Sequence, residues 1–137
     1  MSDIDTLLKH ARESLVKAYA PYSHFPVGSC IKTTDGNFYS GCNIENASYG
    51  LTICAERNAI CQMISTQGEA VIEQVLVISK MESHCAPCGA CRQFLAEFAN
   101  PETIIHLCTK DGDIKSIKLV DLLPLSFGPK HLHEVIV

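Results

Sequence analysis

From residue 4 to residue 19, apolar side chains recur at helical spacing: Ile4, Leu7, Leu8, Ala11, Leu15, Ala18 and Tyr19. With Ser2 or Asp3 able to cap its start, this pattern predicts an amphipathic helix over 3–20, ended by Pro21. Its polar face mixes Asp5 and Glu13 with Lys9 and Arg12, which favours packing on a core over lying on a membrane surface. Segments 27–34 and 37–45 read as two strands joined at Asp35-Gly36, a dipeptide suited to a tight hairpin turn. A helix over 54–67 comes next. Segment 71–80 contains the run Val75-Leu76-Val77-Ile78, the pattern of a central strand covered on both faces. A second helix over 88–98 leads to a strand over 103–109, and that strand-helix-strand unit predicts parallel neighbours and a right-handed crossover. Asp111-Gly112 marks another hairpin before a last strand over 114–119, while Pro124 and Pro129 break up the C-terminal segment. The sum is an α/β fold with a mixed five-stranded sheet flanked by helices. Its chemistry is expected where helices begin beyond the ends of parallel strands.

Length and charge narrow this picture. At 137 residues and 47% hydrophobic content, residues 1–137 are expected to form a single domain with its own core. Eleven basic residues against fifteen acidic ones leave a net charge of -4, and the lysines are scattered. That argues against nucleic acid as a partner. No basic start with an apolar run opens the chain, and no stretch of about eighteen apolar residues offers a membrane span. A cytoplasmic protein is expected, in which eight cysteines signify metal binding and buried thiols rather than a disulfide framework.

The cysteines carry the chemistry. Cys54-Ala55-Glu56 and, further on, Pro87-Cys88-Gly89-Ala90-Cys91 supply three thiols and one carboxylate in the layout of a zinc site that activates water. Catalytic zinc takes three protein ligands, so Cys54, Cys88 and Cys91 can bind one Zn2+ per chain while Glu56 stays unbound to move protons. Cys88 and Cys91 share one side of a helix start. Cys54 and Glu56, only two apart, would point to different flanks within a helix, which places Cys54 at the helix start and brings two helix N-termini to the ion. Three thiolates leave zinc with a net negative charge, which the two N-termini and Arg57, donating to a ligand sulfur, can offset. Arg92 is a weaker candidate for the same task. The alternative is a structural zinc knot. Cys85, Cys88 and Cys91 are evenly spaced, so any two could form the pair, although Pro87 suits a helix start and leaves Cys85 outside it. Cys30, Cys42, Cys61 and Cys108 fall in strand or helix patterns and are expected in the core. His24, His131 and His133 are expected at the surface.

These residues resemble a known family. Gly41-Cys42-Asn43-Ile44-Glu45-Asn46-Ala47-Ser48-Tyr49-Gly50-Leu51-Thr52, Cys54-Ala55-Glu56-Arg57 and Pro87-Cys88-Gly89-Ala90-Cys91-Arg92-Gln93 are similar to cytidine deaminases. The likeness runs from Pro21-Tyr22-Ser23-His24-Phe25-Pro26-Val27-Gly28 to Phe127-Gly128-Pro129. The cysteine pieces mark only the broad deaminase superfamily, whereas the Asn-x-Glu-Asn-Ala-Ser-Tyr-Gly block carries the nucleoside assignment. On their own terms Asn43 and Glu45 alternate with Cys42 and Ile44, which puts the polar pair on one face of an extended segment.

The resemblance implies a three-layer α/β/α domain of the small homotetrameric type, with shared active sites. It implies zinc-dependent deamination of cytidine and 2'-deoxycytidine to uridine and 2'-deoxyuridine in pyrimidine salvage. It further implies that Asn43 and Glu45 bind the ribose 3'-hydroxyl, that Phe25 packs on the nucleoside, and that the Ala55 N–H binds the base carbonyl. Tyr49 and Phe127 would reach toward substrate in a neighbouring subunit. One rival is a deaminase of an aminoacyl-nucleoside such as blasticidin S, against which the Asn43 and Glu45 pair argues. A nucleic-acid editing deaminase would need a basic groove. A non-enzymatic zinc or thiol redox module would need a fourth ligand or a reducible disulfide, and it gives Glu56 no role.

Overall fold

In the computed structural model, which describes residues 1–136 with side chains through Leu132, the first helix begins where its sequence predicts. Helix α1 spans Asp3–Leu15 and is capped by Ser2, whose hydroxyl accepts from the Asp5 N–H at 3.2 Å while the Asp5 carboxylate accepts from the Ser2 N–H at 3.2 Å. It ends at Leu15, short of the expected residue 20. Tyr19 is the reason: its N–H donates to Asn43 O at 3.1 Å and its carbonyl accepts from the Glu45 N–H at 2.8 Å. Backbone committed to a strand-like bridge is unavailable to a helix.

Strands β1 (Val27–Thr33) and β2 (Phe38–Cys42) form the expected antiparallel hairpin, with Gly36 at φ +91 in the turn. Helix α2 is Ala55–Gln67, strand β3 Ile72–Ser79, helix α3 Gly89–Ala96 and strand β4 Ala99–Cys108. Strand β5 (Ile114–Lys118) completes a five-stranded sheet of order β2-β1-β3-β4-β5, in which β3 and β4 are parallel and the other pairs antiparallel. The last strand stops before Leu119, which opens a short helix α4 (Leu119–Leu122). Pro129 does not break the C-terminal segment but starts helix α5 (Pro129–Ile136), where its fixed φ and missing N–H are tolerated. Among the described residues, no helix is long and apolar enough to cross a membrane.

Two apolar layers enclose the sheet. On one face Leu7 and Ala11 of α1 meet Cys30, Leu76, Ile78 and Cys108. On the other, Ala59, Ile60 and Met63 of α2 and Leu95 of α3 cover Ile31, Val75, Val77 and Ile105. Strand β3 feeds both cores, as its unbroken apolar run predicts. Cys61 departs from expectation: it lies one position past the buried Ala59-Ile60 pair and points to solvent, while Cys42 is half-buried.

Close approach of backbone places α2. A Cβ on Gly41 would lie 2.6 Å from Ala59 N and 2.7 Å from Ala55 O, so only glycine lets the helix rest on β2. Asn58 adds a bond from Nδ2 to Cys42 O at 2.7 Å, which fixes the helix along the strand.

Candidate active site and metal centre

Helices α2 and α3 both start at a cysteine. Cys54 caps α2 in an extended conformation, with φ -74 and ψ 157, and Cys88 caps α3 with φ -68 and ψ 168. Because Cys54 stands outside the helical turn, its sulfur and the Glu56 carboxylate reach the same cavity although they are two residues apart. Cys88 Sγ also accepts from the Cys91 N–H at 3.4 Å. The two helix N-termini thus meet, with Cys54 Sγ and Cys88 Sγ 4.0 Å apart.

The three sulfurs of Cys54, Cys88 and Cys91 all lie within 4.8 Å of one another. Tetrahedral zinc with sulfur ligands at about 2.3 Å separates them by about 3.8 Å, so the set could hold the ion with small adjustments. Cys85 stays outside this group. It is 4% exposed, packs into the core and donates its N–H to Cys108 O at 3.3 Å. Burial pushes its thiol pKa up, the state of an inert core cysteine rather than a ligand.

Charge around the thiols is unequal. Hydrogen bonding from Cys91 and from Arg57 pulls the Cys54 thiol down to about 5, while Cys91, sharing that proton in a buried place, is pushed up. The Arg57 guanidinium donates to Cys54 Sγ at 3.4 Å and to Thr52 O at 3.2 Å, and its buried Nε has no partner among the described residues. Arg92 does not share this task. It donates to Pro87 O at 2.9 Å and to Leu122 O at 3.0 Å, tying the Cys88 loop to α4. Glu56 is 4% exposed, and burial, reinforced by the nearby Cys54 thiolate, pushes its pKa up to about 7. A carboxyl group poised there exchanges protons readily at neutral pH.

The cavity holding these groups has a volume of about 410 Å³ and is also lined by Phe25, Asn43, Glu45 and Ala55. Residue 55 is the first of α2, so its N–H has no partner within the helix. Tyr49 and Phe127 do not line this cavity in their own chain. Tyr49 is 75% exposed in an adjoining hollow, its ring 5.9 Å from that of Tyr22. Phe127 is 57% exposed, stacks on His131 and lines a separate hollow of about 590 Å³ against α3. His131 is held by a bond from the Gly128 N–H at 3.0 Å, and the side chain of His133 lies outside the described residues.

Comparison with known proteins agrees with the geometry. Residues 1–107 match the model of the cytidine and deoxycytidylate deaminase zinc-binding region. The chain belongs to this deaminase family. The cytidine deaminase of Sporosarcina psychrophila is 39% identical over 130 residues, covering 95% of each chain. That of Halalkalibacterium halodurans is 39% identical over 132 residues, covering 96% of this chain and 99% of the relative. A crystal structure of cytidine deaminase from Burkholderia pseudomallei aligns with a TM-score of 0.86 at 39% identity, covering 93% of this chain and all of that one.

Some deaminase cavity residues escaped sequence reasoning. Ser23, Thr52, Val77 and Ala86 also line the pocket. Ser23 and Thr52 sit inside the recognised segments, but their side chains carry no ligand-like signal. Val77 reads as ordinary sheet core, and nothing in its sequence context marks it as a cavity wall.

Three substitutions separate ligands from neighbours. Cys88→Ser is expected to empty the site of zinc, whereas Cys85→Ala keeps one zinc per chain, and Arg57→Ala weakens retention about 10- to 100-fold. Metal analysis after challenge with a chelator reads all three. Full zinc in Cys88→Ser would remove that thiol from the ligand set.

Proposed function

We propose that this chain is a zinc-dependent cytidine deaminase, hydrolysing cytidine and 2'-deoxycytidine to uridine and 2'-deoxyuridine with release of ammonia. Residues 1–137 act as one catalytic domain. The observation that carries the reading is a buried carboxyl group, with its pKa near 7, sharing one cavity with three converging thiols. Zinc held by Cys54, Cys88 and Cys91 supplies Lewis acidity that lowers the pKa of water toward neutrality.

The chain's own groups do the rest. Glu56 takes a proton from the attacking water and delivers it to N3 as C4 of the cytosine ring becomes tetrahedral. It then takes the remaining proton from the new C4 hydroxyl and passes it to the amino group, so that the C4–N bond breaks, ammonia leaves and C4 keeps the oxygen as a carbonyl. The free Ala55 N–H holds the base carbonyl, Phe25 packs on the nucleoside, and Asn43 and Glu45 take the sugar 3'-hydroxyl. Arg57 offsets the excess negative charge of three thiolates.

Glu56→Ala is expected to keep zinc and fold while losing at least about 10²- to 10⁴-fold in turnover, followed by the ultraviolet change from cytidine to uridine. A variant that still turns over at the parent rate would end the proton-shuttle assignment.

The charge of the cavity favours a nucleoside over the nucleotide. Among the described residues no lysine or arginine lines it, and hydrogen bonds from Ser23 hold the Glu45 carboxyl below its ordinary pKa, so it is anionic at neutral pH. A 5'-phosphate there meets like charge, which costs several kcal/mol. Deoxycytidine 5'-monophosphate is accordingly expected to show kcat/KM roughly 10²-fold below that of deoxycytidine. Equal values for the two substrates would contradict this charge argument.

A homotetramer with shared sites is the assembly we infer, and cytoplasmic pyrimidine salvage the setting. Exposed Tyr49 and Phe127, outside their own cavity, suit residues that complete a neighbour's. Sedimentation equilibrium is expected to give four chains per particle, and a fully active monomer would exclude shared sites.

A further inference from the structure

The segment from Ala20 to Pro26 lacks regular secondary structure and lines the cavity through Ser23 and Phe25. His24 in this segment has φ 56, the left-handed region that a histidine occupies at a cost. Polar side chains from the facing segment hold it there. Glu45 Oε1 accepts from the Tyr22 N–H at 3.0 Å and from the Ser23 N–H at 3.1 Å, and the Ser23 hydroxyl donates to Glu45 Oε2. Asn43 Oδ1 accepts from the Val27 N–H at 2.9 Å, and Asn43 Nδ2 donates to Phe25 O at 2.9 Å.

Counting donors and acceptors shows what is left for a ligand. Each carboxylate oxygen accepts about two hydrogen bonds, so Oε1 is filled and Oε2 retains one position. The Asn43 amide retains one of its two N–H donors. Asn43 and Glu45 line the same cavity, and one remaining donor with one remaining acceptor matches a single hydroxyl, which gives one hydrogen bond and receives another.

Ser23 sits at the centre of this arrangement. Its hydroxyl donates to Glu45 Oε2, the oxygen with the vacant position, and accepts from the Phe25 N–H at 3.0 Å. We propose that Ser23 is a positioning residue for the nucleoside sugar, orienting the Glu45 carboxylate and setting the backbone of Phe25 through one hydroxyl. The inference rests on the sugar-binding role proposed for Asn43 and Glu45. Without the Ser23 hydroxyl, Oε2 loses its fixed direction and Phe25 its tether, so binding of the sugar weakens while proton transfer at Glu56 is untouched.

The test compares cytidine with 2',3'-dideoxycytidine, which lacks the sugar hydroxyls, on the zinc-loaded enzyme. Ser23→Ala is expected to raise KM for cytidine about tenfold with kcat within about threefold, and to change the dideoxynucleoside far less. Ser23→Thr, which keeps the hydroxyl, should restore the parent KM. Ser23→Cys, close in size but a weak donor, should behave as the alanine variant does. Glu45→Gln serves as the reference and is expected to abolish the preference for cytidine over the dideoxynucleoside.

If Glu45→Gln abolishes the preference but Ser23→Ala slows both substrates equally, or neither, the positioning role is overturned and the sugar-binding reading survives. If Glu45→Gln leaves the preference intact, both fall. A loss in kcat alone for Ser23→Ala would also overturn the proposal, because it would place the hydroxyl in the chemistry rather than in binding.

Discussion

Two helix ends have to meet, and the site depends on that meeting. Cys54 and Cys88 are 34 positions apart in sequence, with α2 and β3 between them, yet their sulfurs lie 4.0 Å apart. Helix α2 can rest on β2 only because residue 41 is glycine, and Asn58 then fixes it against Cys42 O. Helix α3 begins beyond the carboxyl end of β3, and the parallel pairing of β3 with β4 requires a crossover that returns the chain to the far end of the sheet. A side chain at residue 41 would lift α2, and the Cys54 thiol at its start would move with it.

Once the helix ends are together, their surroundings divide the work of proton and charge. Cys54 and Glu56 are two residues apart and are driven in opposite directions. The cysteine, hydrogen-bonded by Cys91 and Arg57, is held down to about 5, and the carboxyl group, buried, is held up to about 7. Groups whose environments separate their pKa values in this way take on different roles. The arrangement has a cost: an unpartnered buried donor such as Arg57 Nε is worth about 1–3 kcal/mol of lost hydrogen bonding. Its guanidinium is nevertheless held in place by Thr52 O and the Cys54 sulfur. This is what a residue placed for the field at the thiols, rather than for stability, would show.

Much of this was legible in the sequence, because periodicity and capping act over a few residues. The five strands, helices α1, α2 and α3, and the hairpin glycines at 36 and 112 follow from local pattern. The misses involve long-range backbone or position within an element. Helix α1 stops early because Tyr19 pairs with Asn43 and Glu45, a contact no helical spacing reveals. Pro129 read as a breaker, but at the first position of a helix proline is a starter. In the site, the thiols were legible because metal ligands are set by residue type and spacing. Asn43 and Glu45 stood out in the sequence only as candidate ligand groups, and their bonds as anchors of a loop were hidden because they run to backbone some twenty residues away.

Anchoring the loop also suits Asn43 and Glu45 to the sugar-binding role proposed for them. A free glutamate and asparagine would each sample several rotamers, and a ligand would have to order them at a cost of about 0.5–1.5 kcal/mol per side chain. Here the ordering is done in advance by bonds to the segment that carries Phe25. The left-handed backbone at His24 is tolerated because those bonds over-determine the loop around it. Both Asn43 and Glu45 are buried, so water cannot easily replace the bonds. The loop and the polar pair therefore order each other, which is the advance ordering that the proposed sugar site requires.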